Sequence, residues 1–373
     1  MTATARRLAF LAEADRLKSV SRANVLMDLS RPENSAEHSW HAALYALVHG
    51  ASDRAIAMLL LHDLVEIDCG DHPIHLPQDW DAVQAAEAVA AERLFALSPE
   101  GAAQLALWQE FETGAGDCAR MARRMDHAQP LFQVLSAPEP LPLHLQIARD
   151  NLSGGRVARL AQEWPEAWAG AQDLLAGRAP QGEFAQRLAF LAEADRLKSV
   201  TRASMLGDAS RHENSAEHSW HVALYALVLA PHCGAGVDIG RVIRMLLIHD
   251  LVEIDCGDVP LHSAQGQTHG SAAVQAAETA AARRIFGLLP AGQGAELLAL
   301  WQEFEAASSP DAVFAKALDR CQPVLQNLAT GGIGWVEYQV TLVQIEQRVG
   351  SWIACGAPDL WRHLHLRLRA HFA

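Results

Sequence analysis

No run in this 373-residue chain is apolar and long enough to cross a bilayer, so nothing in it reads as a membrane span. MTATARRLAFLAEADRL has Glu13 and Asp15 within its apolar stretch, so it is expected to be an amphipathic helix rather than a signal peptide. The six cysteines (Cys69, Cys118, Cys233, Cys256, Cys321 and Cys355) are scattered, with no C-x-x-C. Without an export signal they are expected to be reduced thiols of a cytoplasmic protein, with Cys69 and Cys256 as small buried residues. Positive charge is in deficit. Thirty Lys and Arg against 44 Asp and Glu leave a net charge of −14, which argues against long-range attraction to nucleic acid or an anionic membrane. A small phosphorylated substrate stays open, since one arginine and a metal can hold it. β-Branched alternation is scarce, and nothing in the sequence demands strands.

What the chain does have is a duplication. RLAFLAEADRLKSVSRANVLMDLSRPENSAEHSWHAALYALV, from Arg7, returns almost unchanged from Arg187. LLLHDLVEIDCGD, from Leu59, returns as LLIHDLVEIDCGD from Leu246, and VQAAE, ALWQEFE and a D-x-x-Q-P element follow in the same order. The period is too long for a solenoid, so two whole domains are expected, at residues 1–178 and 179–373. The Gly- and Pro-containing AGRAPQGE stretch marks the boundary. Insertions in the second copy, APHCGAGVD and SAQGQTHG, have loop composition. After Asp126 the first copy is broken by SAPEPLPLH, whereas WVEYQVTLVQIEQRV in the second reads as a continuous helix. Ala, Leu, Glu, Gln and Arg dominate throughout, which predicts an all-α chain. Asn34 followed by Glu37 reads as a capped helix start, putting His38 in a first turn.

One ordered set of residues carries chemistry. The first copy has His38, His62-Asp63 and Asp126; the second has His218, His249-Asp250 and Asp319. Two imidazoles and two carboxylates suit a divalent ion such as Mn, Co, Fe, Ni or Zn, one per domain. On a helix His62 and Asp63 point about 100° apart, so His38 and Asp126 must arrive from other helices. Glu66 is spaced to share a helical face with His62 and Asp63, and Asp71 follows the Cys69-Gly70 turn. Carboxylates so placed suit a water-activating role beside a metal, and Arg22 can offer a forked donor to phosphate. The competing explanation for Arg22 is an ordinary surface arginine in a polar loop.

H-E-x-x-H is absent, but H…HD…D in this order resembles the HD-domain superfamily. The stretch from Arg22 through ENSAEH and HDLVEIDCGD, with a basic residue three before Asp126, is similar to its 5′-deoxynucleotidase branch. The likeness runs from about Arg7 to Asp126 and from Arg187 to Asp319. It implies two tandem helical HD domains that remove phosphate from nucleoside 5′-monophosphates with a divalent metal. It further implies metal ligation by His38, His62, Asp63 and Asp126, a water-activating or proton-handling role for Glu66 and Asp71, and phosphate binding by Arg22. In the second copy the matching residues are His218, His249, Asp250, Asp319, Glu253, Asp258 and Arg202. All of these positions hold the expected residue type.

Other residues get plainer expectations. His41 and His221 are read as packing or supporting groups, and His72, His75 and His262 as solvated loop histidines. Trp40, Trp108, Trp220 and Trp301 are read as core anchors rather than a stacking platform. Two alternatives accompany the monophosphatase: hydrolysis of a cyclic nucleotide or triphosphate, and a non-catalytic regulatory protein that binds metal and nucleotide. The acidic surroundings disfavour a triphosphate, and the intact Glu66/Asp71 and Glu253/Asp258 pairs disfavour binding alone. Near-identity of the N-terminal segments suggests that the halves pack as an intramolecular pseudo-dimer, with further homo-oligomerisation left open.

Overall fold

In the computed structural model, residues 1–73, 76–260 and 271–373 are described. His75, His262 and the SAQGQTHG insertion lie outside the described residues. The first half runs α1 (Ala3–Ala14), β1 (Ser21–Val25), β2 (Pro32–Asn34), α2 (Ser35–Val48), α3 (Asp53–Leu61), α4 (Glu66–Cys69), α5 (Trp80–Phe95), α6 (Gly101–Thr113) and α7 (Gly116–Ser136). It closes with α8 (Pro142–Gly154), α9 (Leu160–Glu163) and α10 (Pro165–Leu175). The second half repeats the order with α11 (Gly182–Asp195), β3 (Thr201–Met205), β4 (His212–Asn214), α12 (Ser215–Val228), α13 (Ile239–Ile248), α14 (Glu253–Cys256), α15 (Ala272–Phe286), α16 (Ala291–Ala306) and α17 (Pro310–Ala329). Its tail is α18 (Ile333–Glu337), α19 (Leu342–Ile345), α20 (Ser351–Gly356) and α21 (Pro358–His371). Among the described residues no helix is long and apolar enough to cross a membrane.

The chain is helical, with one addition to the sequence reading. Each half carries a small antiparallel hairpin, β1–β2 and β3–β4. Ser21 pairs with Asn34 and Val25 with Pro32, with a register shift between, and the same pattern joins Thr201 to Asn214. Strands this short do not bury a face of their own, so no alternation marks them. The hairpin delivers Asn34 to the start of α2. There the predicted capping box forms: the Asn34 side chain accepts from the Glu37 N–H, and Glu37 accepts from the Asn34 N–H.

The two halves share one apolar core. Helices α2 and α12 pack against each other across it, and each half's first helix lies on the other half: α1 against α12, α11 against α2. The indoles that read as core anchors make part of this seam. Trp40 Nε1 donates to the Leu247 carbonyl at 3.0 Å, and Trp220 Nε1 to the Leu60 carbonyl at 3.3 Å. The capping boxes are themselves joined: Asn34 Nδ2 donates to Glu217 at 2.6 Å and Asn214 Nδ2 to Glu37 at 2.7 Å.

Two expectations need correction. WVEYQVTLVQIEQRV is not one helix. Gln339 takes a positive φ of 52° after α18, Thr341 caps a fresh start, and a π-turn spans Glu346–Gly350 before α20. The break lets α20 return onto α17, where Gly356 meets Ala317. Cys69 and Cys256 are half-buried rather than buried, and Cys69 Sγ donates to the Val65 carbonyl at 3.0 Å. Burial pushes the Cys69 thiol up to about 12, with Glu87 adding to it.

Candidate metal centre

His62 and Asp63 do not lie on a continuous α-helix as expected. Helix α3 ends at Leu61 and His62–Val65 tightens into a 3₁₀ turn before α4; His249–Val252 does the same after α13. Glu66 opens α4 directly after this turn, three residues beyond Asp63. Trp108 Nε1 donates to the His62 carbonyl at 3.2 Å, and Trp301 does the same for His249. These indoles tie the turn to α6 and α16.

Four donor residues then converge from three elements. His38, from the first turn of α2, has Nε2 at 2.9 Å from Asp126 Oδ1 and 3.8 Å from Asp63 Oδ2. His62 Nε2 lies 3.1 Å from Asp63 Oδ1 and 3.5 Å from Asp126 Oδ1. Asp126 comes from the middle of α7, one turn before Pro130, which has no N–H to offer the Asp126 carbonyl. The second half reproduces the set. His218 Nε2 is 3.1 Å from Asp319 Oδ1 and 3.9 Å from Asp250 Oδ2, and His249 Nε2 is 3.2 Å from Asp250 Oδ1.

The hydrogen bonds of the imidazoles favour metal ligation. His62 Nδ1 donates to the Leu59 carbonyl at 2.9 Å, which turns Nε2 toward the cluster, and that buried Nε2 has no hydrogen-bond partner. His249 repeats this with the Leu246 carbonyl at 2.8 Å and an equally orphaned Nε2. His38 Nδ1 donates to Gln129 Oε1 at 2.8 Å and His218 Nδ1 to Gln322 Oε1 at 3.1 Å, leaving Nε2 inward. Each ring is thus held as the tautomer a cation needs. His38, His62 and Asp126 bring their atoms within 4.8 Å of one another, as do His218, His249 and Asp250. Burial opposes charge on His62, but Asp63 and Asp126 more than offset it and hold the imidazole up to about 9. Negative charge is in excess here, and a divalent cation would relieve it.

Arg22 is no surface arginine. It sits on β1, largely buried, with Nη1 at 2.9 Å from Asp63, 3.4 Å from Glu66 and 3.5 Å from Asp71. Arg202 Nη1 holds Asp250 at 2.6 Å, Glu253 at 3.3 Å and Asp258 at 3.8 Å. The Nε atoms of both are buried without a partner. Glu66 also accepts from the Ser35 hydroxyl, and Glu253 from Ser215 at 2.5 Å. Burial pushes Glu66 well above the usual carboxyl range, with Asp63 raising it and Arg22 lowering it. Asp71 reaches the site because Gly70 turns the chain at φ 74°, and Asp71 Oδ2 also accepts from the Ala23 N–H at 3.3 Å. All fourteen residues singled out from the sequence therefore fall into two clusters of seven.

Sequence reading missed Ser35, Ser215, Gln129 and Gln322. The glutamines sit in the repeated D-x-x-Q-P element, so the signal was present without a role attached. The basic residue three before each aspartate serves the neighbouring helix: Arg123 donates to the Phe111 and Glu112 carbonyls at the end of α6, and Lys316 to Glu305. His72 is half-buried rather than solvated.

Comparison with known proteins follows this geometry. The HD domain model matches residues 14–168 and 194–361. The 5′-deoxynucleotidase HDDC2 of Homo sapiens is 31% identical over 140 residues, which span 37% of this chain and 65%, just under two thirds, of that protein. Its Mus musculus counterpart is 32% identical over 149 residues, 40% of this chain and 71% of that protein. A solved structure named as a predicted metal-dependent phosphohydrolase, from Magnetospirillum magnetotacticum MS-1, is 43% identical, with a TM-score of 0.48. It covers 52% of this chain and 94% of its own.

Proposed function

This chain belongs to the HD-domain family, and on that premise we propose that it is a metal-dependent phosphohydrolase releasing phosphate from nucleoside 5′-monophosphates, deoxynucleotides foremost. The observation that carries the reading is the joint placement, twice over, of two inward Nε2 atoms, two aspartates, a glutamate bound to serine and arginine, and that buried arginine. His38, His62, Asp63 and Asp126 would hold one divalent ion of the Mn, Co, Fe, Ni or Zn group, and His218, His249, Asp250 and Asp319 another. When bound, such an ion supplies Lewis acidity and lowers the pKa of water.

The chain's residues supply the rest. Glu66, poised three residues beyond Asp63 and steadied by Ser35, accepts a proton from the attacking water; Glu253 does so in the second half. Asp71 and Asp258 hold the arginine and the hairpin edge in place. Arg22 and Arg202 exchange part of their carboxylate contacts for phosphate oxygens, and the unpartnered Nε gives the second tine of a forked donor. A monoester suits a site with one arginine among many carboxylates.

We further read residues 1–178 and 179–373 as two domains paired within one cytoplasmic chain. The swapped α1 and α11 and the joined capping boxes support that reading.

The test is phosphate release from ribo- and deoxynucleoside 5′-monophosphates by metal-stripped protein reconstituted with Mn, Co, Zn or Mg. Turnover should return with metal and vanish in the Asp63→Ala/Asp250→Ala double variant. No release with any ion, despite confirmed metal binding, would overturn the monophosphatase and turn the search to cyclic nucleotides, triphosphates or binding without turnover.

A further inference from the structure

Behind each candidate metal site lies a buried polar cluster that crosses between the halves. Lys198, fully buried just after α11, reaches into the first half. Its Nζ donates to Glu33 at 2.6 Å and Gln133 at 2.9 Å, meets His41 Nδ1 at 3.0 Å, and keeps its own Asp195 at 2.5 Å. Lys18, following α1, does the same in reverse: Glu213 at 2.6 Å, His221 Nδ1 at 2.9 Å and its own Asp15 at 2.5 Å. Asp15, Glu213 and His221 bring their donor atoms as close together as a ligand set does, as do Glu33, His41 and Asp195. In both places the cation is already present as an ammonium group. Burial works against that charge, but Asp195 and Glu33 outweigh it for Lys198, as Asp15 and Glu213 do for Lys18.

The cluster meets the metal site at the outer nitrogen of its first histidine, where Glu33 Oε2 lies 3.9 Å from His38 Nδ1 and Glu213 Oε2 3.6 Å from His218 Nδ1, and where a glutamine makes the shorter link. Gln129 Nε2 donates to Glu33 at 3.1 Å and to Gln133 at 2.5 Å. With the amide N–H₂ turned that way, Gln129 Oε1 must face His38, whose Nδ1 donates to it at 2.8 Å. That bond fixes the tautomer and leaves His38 Nε2 for a metal. The second half repeats the relay: Gln322 Nε2 donates to Glu213 at 2.8 Å while its Oε1 takes the His218 Nδ1 proton. Without Lys198, Glu33 is a buried carboxylate with no compensating ammonium, and the acceptors that orient Gln129 lose the donor that orders them.

We propose that each metal site is positioned by a buried lysine of the opposite half: Lys198 acts through Glu33, Gln133 and Gln129 on His38, and Lys18 acts through Glu213 and Gln322 on His218. The inference rests on the metal-site reading above. It makes each site incomplete without the other half, so the duplicated chain carries within itself both members of a reciprocal pair. These lysines are positioning residues and touch neither metal nor substrate.

The test uses the full chain and reads metal affinity. His249→Ala/Asp250→Ala leaves only the first site, and His62→Ala/Asp63→Ala leaves only the second. In the first background Lys198→Met should weaken Co(II) binding about 10- to 100-fold and alter the visible absorption of the bound ion. Lys18→Met should weaken it far less. In the second background the order should reverse. Lysine variants that weaken the site of their own half, or both sites alike, or neither, would overturn the proposal. If the methionine variants do not fold, Asp195→Asn and Asp15→Asn perturb the same lysines more gently and must show the same crossing. Absence of Co(II) from both backgrounds would sink the metal-site reading and this inference with it; binding without crossing would sink this inference alone.

Discussion

Glu66 receives the Ser35 hydroxyl on one oxygen and lies 3.4 Å from Arg22 on the other. Burial and Asp63 raise its carboxyl and Arg22 lowers it, and in the proposed reaction it is the acceptor for the proton of the attacking water. Glu66→Gln keeps the shape and the serine contact but removes the proton acceptor. With Glu253→Gln in the same chain, kcat should fall by about 10²- to 10⁴-fold, with Co(II) affinity nearly unchanged. Titration of the metal-stripped variant with Co(II) separates the roles: loss of the ion together with activity would make Glu66 a ligand instead. Arg22 is the residue at which sequence alone was least able to decide. Its polar neighbours allow a surface arginine or a buried one, and the difference is made by a hairpin whose pairing leaves no pattern in five residues.

Helix α20 is held close to α17 by small residues at the crossing. A β-carbon on Gly356 would lie 2.6 Å from Ala317 Cβ and 2.6 Å from the Val313 carbonyl oxygen, so one backbone would have to move. Gly356→Ala should therefore cost about 1–3 kcal/mol in urea unfolding, and a change under 0.5 kcal/mol would show that the helices separate freely. This crossing also shows what was not legible in the sequence. Composition gave helix throughout, and the run from Trp335 to Val349 has helical composition, yet Gln339 breaks it because α20 must fold back over α17. The 3₁₀ turn at His62 was hidden for a related reason, since the tightening answers to Trp108 and to the cluster rather than to local propensity. The capping box, by contrast, is a contact within four residues, and Asn34 with Glu37 announced it. The candidate site was legible because it was repeated: a second full set of seven residues is a pattern that chance does not supply. The lysines behind it carried the same repetition, but a lone Lys reads as solvent-exposed unless its partners are known.

At the scale of the molecule the two sites are alike at the metal and different around it. The second opens into a cavity of about 220 Å³ whose wall includes Asn327, Trp335 and Tyr338 beside Arg202 and Asp250. Val134 occupies the position of Asn327 in the first copy, counting on from the D-x-x-Q-P element, and the sequence diverges after it. Where the first copy has an isopropyl group, the Asn327 amide donates to the Pro323 carbonyl at 3.0 Å and accepts from the Trp335 N–H at 3.2 Å, and so fixes Trp335 in the cavity wall. In the His62→Ala/Asp63→Ala background, Asn327→Val should raise KM for the nucleotide panel by up to about tenfold, because losing the bond that holds Trp335 loosens the cavity wall. Equal KM across the nucleotide panel before and after substitution would remove Asn327 from recognition.

The seam between the halves holds a second kind of site, where a titratable group is buried among rings. His49, at the end of α2, has Trp164 edge-on at 4.5 Å and Phe184, from α11, at 6.2 Å. Phe184 also meets Phe132 and Trp164, so these rings tie α11 to the first half. Burial, with Arg187 adding to it, holds the His49 imidazole down to about 3 from an ordinary value of 6.5. Between those values the unfolded chain binds a proton here that the folded chain does not. The stability His49 contributes is therefore whole above pH 6.5 and is lost as pH falls toward 3, at up to about 1.4 kcal/mol per pH unit. Other buried groups titrate in the same range, so the informative quantity is the difference between wild type and His49→Phe, in which they cancel. Going from pH 7.5 to pH 4.5, the variant should gain on wild type by about 2.5–3 kcal/mol in urea unfolding. Parallel profiles would mean that His49 is protonated in the folded protein, and that the ring cluster joining the halves admits water.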